Sequence, residues 1–154
     1  MTRVFFDTEF EGLFPGAKLI SIGFVTEDDA TFYAELTDTY STEACGQFCR
    51  KFVLPLLDGG DAETTLEQLR VDLRVWLESL GKIVTLICDS PRDVAQLDFI
   101  FPNGLPAGCQ VHTLGYIDNW RRRILNFRGR LHKKNGFKAH HALHDAQVNK
   151  IIFT

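Results

Sequence analysis

The chain has 154 residues, 45% of them hydrophobic and 24% charged, and 17 Lys and Arg against 20 Asp and Glu leave a formal charge of −3. That length supports one domain, residues 1–154, burying roughly two thirds of the unfolded chain's surface, so a core forms without disulfides and the apolar content excludes disorder. No apolar run reaches the ~20 residues that span a bilayer, and Met1 to Asp7 meets an acid too early for a secretory signal. A cytoplasmic protein with no membrane contact is therefore expected.

In chain order, Val4 to Phe6 reads as a short strand, Leu19 to Val25 as a second and Thr31 to Leu36 as a third, with Thr26 to Asp29 as the turn of an antiparallel meander. Thr42 to Leu57 is predicted as a helix with Cys45, Phe48, Cys49, Phe52 and Val53 on one face. Thr64 or Thr65 caps a second helix, which carries Leu66, Leu69, Leu73, Trp76, Leu77 and Leu80 to a stop at Gly81. Ile83 to Cys88 is a β-branched run suited to a buried central strand. Pro91 opens a helix to about Ile100, and Gln110 to Thr113 is a short strand inside a Pro/Gly-rich stretch. Asp118 to Phe127 is read as helix, Arg128 to Lys138 as loop, and Ala139 to Phe153 as the closing helix. Strands alternating with helices define an α/β fold with a central mixed sheet. Cys45, Cys49, Cys88 and Cys109 lack a paired metal spacing and are expected to be reduced packing residues.

Three acidic groups lie at element ends. Asp7 and Glu9, two apart on a strand, share one face, where they repel each other unless a cation lies between them. A solvated turn after an edge strand is the plain alternative. Asp89 and Asp93 follow the central strand, where α/β ligands gather, although Asp89 also suits an N-cap and Asp93 the favourable first turn of a helix. His140, His141 and His144 cluster beside Asp145. On one continuous helix His140 and Asp145 would diverge by about 140°, so His140 can act with Asp145 only from the loop ahead of the helix.

Taken together, Asp-x-Glu on the first strand, an Asp after a central strand and H-x-x-x-x-D entering the last helix resemble the DEDDh 3′–5′ exonucleases of the ribonuclease H-like superfamily. The segment His140-His141-Ala142-Leu143-His144-Asp145-Ala146 is close to that family's H-x-A-x-x-D-A pattern, and Phe6-Asp7-Thr8-Glu9-Phe10 is similar to the opening of the ribonuclease AS group of exoribonucleases. The resemblance implies Asp7, Glu9, Asp93 and Asp145 as metal-binding acids and His140 as general base, with Asp89 outside the metal set. His141 sits at the spacing that DEDDy relatives use for a catalytic Tyr and stands as the alternative base. The resemblance further implies two Mg²⁺ or Mn²⁺ ions, a single-stranded RNA or DNA 3′ end as substrate, 5′-mononucleotide products and a homodimer. It also places a terminal-nucleotide pocket at Phe10, Glu11, Gly12 and Leu13.

The whole-chain charge argues against a generic nucleic-acid binder, but its distribution reverses that reading. Residues 118–138 carry eight Lys and Arg against one Asp, a net of +7, leaving −10 elsewhere. Arg92, Arg121, Arg128, Arg130 and Lys138 are candidate substrate contacts, and Trp120, Phe127 and His132 offer faces for stacked bases. Two other readings compete: an RNA-binding module of the same fold without catalysis, and a helical HD-type metal phosphohydrolase built on His140, His141, His144 and Asp145.

Overall fold

The computed structural model describes residues 1–114 and 118–154, the side chains of 118–126 excepted. Among the described residues six strands, β1 (Thr2–Phe10), β2 (Leu19–Thr26), β3 (Thr31–Leu36), β4 (Glu63–Thr64), β5 (Val84–Cys88) and β6 (Cys109–Thr113), form one mixed sheet in the order β4-β3-β2-β1-β5-β6. β1, β2 and β3 make the antiparallel meander, and β5 and β6 extend it in parallel from β1. This α/β architecture is consistent with a ribonuclease H-like fold, and it excludes the all-helical core that an HD-type site requires.

Helices cover both faces. Helix α1 (Leu66–Ser79), capped by the Thr65 side chain accepting from the Gln68 amide at 3.2 Å, and α2 (Pro91–Ile100) bury Leu69, Leu73, Leu77, Leu97 and Ile100 against Val4, Phe6, Phe24 and Leu86. Helix α4 (Ala142–Phe153) covers the opposite face, where Ala146 meets Phe5, Val25 and Ile87. β2 is consequently buried along its whole length. Aromatic packing adds to the first layer: Phe24 stacks on Phe6 with ring centres 5.5 Å apart and meets Trp76 at 5.7 Å.

Three stretches depart from the sequence reading. Residues 42–46 form turns, and the chain is helical only from Gln47, through a wide π-type segment at Cys49–Val53 into a 3-10 turn at Leu54–Leu56, in place of one regular helix from Thr42. The Gly46 amide donates out of the segment to the Glu11 carbonyl at 2.9 Å, and Pro55 removes a helical donor. Cys45, Cys49 and Val53 bury with Ile20, whereas Phe48 and Phe52 stay 56% and 42% exposed. Just beyond, β4 (Glu63–Thr64) pairs in parallel with β3, an edge too short to show alternation. Helix α3 (Asp118–Asn135) runs through most of the predicted loop and ends at Gly136, whose φ of +68° suits a C-terminal glycine, with the Phe137 amide reaching back to the His132 carbonyl. The four cysteines are free. Among the described residues, no helix is long and apolar enough to cross a membrane.

Gly23 of β2 lies under the start of α4, and a Cβ there would stand 2.4 Å from both Cα and N of Leu143. Gly23→Ala is expected to push α4 off the sheet and destabilise the fold by about 1–3 kcal/mol or more, read from the denaturant midpoint. An unchanged midpoint would contradict this packing.

Candidate metal and catalytic site

β1 carries Asp7 and Glu9 on the face covered by α4, while Phe6 and Thr8 point to the α1–α2 side. A bulge between Glu9 and Phe10 then turns the chain into the following loop. From the α2 side, Ser90 is the N-cap, accepting from the Arg92 amide at 3.2 Å; the cap is not Asp89. This places Asp93 in the first turn, where its Oδ1 accepts from the Thr8 amide at 3.1 Å and the Thr8 hydroxyl at 2.6 Å. The alternate-face residue Thr8 is thus the bracket that joins the two acidic motifs. From the other side α4 delivers Asp145, whose Oδ2 accepts from the His140 amide at 3.0 Å.

The predicted acids and histidine converge. Glu9, His140 and Asp145 offer ligand atoms within 4.8 Å of one another, as do Asp7, Asp89 and Asp93. Asp89, set aside in the sequence reading, therefore stands with two of the predicted ligands. Its neighbour is Arg128, which pairs with it from α3. Position on the central strand's end was the signal that could have included it.

His140 stands on the loop just ahead of α4, as the sequence reading placed it for a role with Asp145, and takes a left-handed backbone, φ +66°. Phe48 meets its ring edge-on at 4.9 Å. His141 turns the other way: it is 3% exposed, with Nε2 3.1 Å from Asp58 Oδ1. Its ring lies between Tyr33 at 4.6 Å and His144 at 4.1 Å, and His144 in turn stacks on Phe137 at 5.2 Å. The structure thus separates the two adjacent histidines by burial. His132, read as a base-stacking face, instead holds Asp145 Oδ1 through Nε2 at 2.6 Å, and its Nδ1 lies 2.8 Å from the Arg128 carbonyl.

The remaining candidates divide. Phe10, Gly12 and Leu13 line two cavities flanking their loop, one of about 410 Å³ beside Glu9 and Phe48, the other of about 440 Å³ beside Arg92 and Phe99. Glu11 is buried and accepts from the Lys18 amide at 3.1 Å, so its carboxylate closes the loop. Arg130 and Lys138 are exposed. Arg121 and Trp120 lie outside the described side chains.

The acids of the cluster repel one another. Burial, then repulsion from Asp93, Asp145, Glu9 and Asp89, holds Asp7 well above the usual carboxylate range. Burial likewise raises Glu9, reinforced by Asp145 and Asp93. Asp93 is pushed up to about 7 by burial against the lowering effect of its Thr8 bonds. Asp93 Oδ2 is buried without a partner among the described residues. An orphaned carboxylate oxygen among mutually repelling acids fits hard divalent cations.

No protein-family model matches the chain. Over 81 residues, 51% of its length, it is 38% identical to the 3′-5′ exoribonuclease of Mycobacterium tuberculosis strain H37Rv, and to the same degree to that of strain CDC 1551. The match spans 48% of each relative, so the chain spans about half the length of the curated relatives it matches. This likeness supports a nuclease.

A carboxylate raised by burial contributes stability below its ordinary range, near pH 4, and loses it as pH rises through the folded value, about 7 for Asp93. His132, raised by its bond to Asp145, acts in the same direction. The metal-free protein is therefore expected to melt at lower temperature at pH 8 than at pH 5, and Asp93→Asn to shrink that fall. Thermal denaturation in EDTA measures both, and a Tm rising with pH would contradict the assignment.

Proposed function

We propose that the protein is a 3′–5′ exoribonuclease that shortens single-stranded RNA to 5′-mononucleotides. The observation that carries this reading is the convergence of Asp7, Glu9, Asp93, Asp145 and His140 from three elements onto one strand end, with Asp93 Oδ2 unpartnered. The likeness to named exoribonucleases supports the reaction type and the choice of RNA.

Asp7, Glu9, Asp93 and Asp145 would hold two Mg²⁺ or Mn²⁺ ions, with Asp89 at the edge of the set. Bound there, the ions would supply charge stabilisation to the phosphodiester and lower the pKa of the attacking water. His140 accepts that water's proton at a ring nitrogen while the water oxygen bonds to phosphorus and the P–O3′ bond breaks, and the leaving 3′ oxygen takes a proton from solvent to become the 3′ hydroxyl of the shortened strand. Asp145 fixes the base by accepting the His140 amide, which holds the ring at the edge of the cluster. Phe10, Gly12 and Leu13 border the space for the terminal nucleotide, and Arg92 its neighbouring phosphate. Arg121, Arg130 and Lys138 are the candidate contacts to the rest of the strand.

A 5′-labelled RNA oligonucleotide incubated with Mn²⁺ is expected to give a ladder shortened from the 3′ end, abolished by EDTA. His140→Ala is expected to lower kcat about 10²- to 10⁴-fold, and His141→Ala much less per folded molecule. Cleavage that persists in excess EDTA, or a greater loss at His141, would overturn the mechanism; binding without cleavage would favour the silent module.

A further inference from the structure

Helix α3 reaches into the acid cluster from the side. Arg128 and His132 lie four residues apart and share one face of the helix. Arg128 Nη2 pairs with Asp89, and His132 Nε2 meets Asp145 Oδ1 at 2.6 Å. Each of the two acidic groups, Asp7–Asp89–Asp93 and Glu9–His140–Asp145, thus receives one basic side chain from the same helix.

Among the described side chains of α3, the apolar hold beside these two contacts is slight. Of its side chains from Phe127 to Asn135, Leu131 is the buried apolar one, and Phe127 is 49% exposed. Arg128 is also incompletely satisfied, because its Nε is buried without a partner among the described residues.

We infer that Arg128 and His132 are positioning residues that hold α3 against the carboxylates in the metal-free protein and compete with divalent cations for Asp89 and Asp145. The inference rests on the proposed metal-binding role of these acids. A guanidinium and a divalent ion on neighbouring oxygens repel strongly at this depth, so filling the site weakens the grip on α3. The exposed residues Arg130, Lys133 and Lys134 ride on the same helix, so loading the site would free a basic segment beside it.

Calorimetric titration of the full chain with Mn²⁺ tests this directly. Arg128→Gln and His132→Gln are each expected to tighten Mn²⁺ binding roughly threefold to tenfold, and Arg128→Lys, which keeps the charge, to stay near wild type. Trypsin should cut after Arg130, Lys133 and Lys134 faster in Mn²⁺ than in EDTA. Unchanged or weaker binding in both Gln variants, or slower cutting with Mn²⁺, would overturn the inference. If His132→Gln fails to fold, the Arg128 pair of variants decides. Competition without RNA cleavage would sink the nuclease reading and leave this one standing. An active nuclease whose Mn²⁺ affinity ignores both substitutions would do the reverse, and a wild-type chain that binds no Mn²⁺ would end both.

Discussion

The close approach of α4 to the sheet at Gly23 sets the position of everything that follows. Gly23 pairs across the sheet with Asp7, and the backbone of Leu143 lies directly over it. Any side chain at Gly23 would hold the helix away, and Asp145, two residues further along, would lift off the strand that carries Asp7 and Glu9. The opposite face solves the same problem differently, with Thr8 reaching through its amide and hydroxyl to draw Asp93 in from α2. One strand end thereby collects acids from both layers of helices.

Collecting them works against the stability of the fold. Desolvation and mutual repulsion both favour the protonated forms of Asp7, Glu9 and Asp93, and among the described residues the basic groups paired with the cluster are Arg128 and His132. A site under such electrostatic tension marks function more often than architecture. The rest of the chain tolerates it because the two hydrophobic layers, built on Phe6, Phe24 and the leucines of α1 on one side and on Phe5, Val25 and Ala146 on the other, do not depend on the acids.

Much of this was legible in the sequence where a strong local rule applied. The alternation of Phe6, Thr8 and Asp7, Glu9, the Thr65 cap, Pro91 at a helix start and the five-residue gap from His140 to Asp145 each limited the geometry to few options. Residues 42–57 misled because a helical spacing of apolar residues was overridden by a tertiary bond, Gly46 to Glu11, and by Pro55. The end of α3 misled because its basic side chains and Gly129 conceal an apolar stripe reduced to Leu131. The Lys18 amide that Glu11 accepts, the Asp145 oxygen that meets His132 Nε2 and the Arg128 that pairs with Asp89 lie seven, thirteen and thirty-nine positions away, and no spacing rule reaches that far.

The stacked rings of Tyr33, His141, His144 and Phe137 bear on how often the site is ready to react. They fasten the short connection between α3 and α4 to the third strand, where Tyr33 meets His141, and to α4, where Phe137 meets His144, while the Phe137 amide ties it to the His132 carbonyl of α3. His140 projects from the middle of that fastened stretch. A base on a free loop would have to be frozen into place at each encounter, at an entropic cost of about 1–2 kcal/mol for every residue ordered. Here that ordering is completed when the chain folds, so in the proposed mechanism His140 would be in position before the substrate arrives.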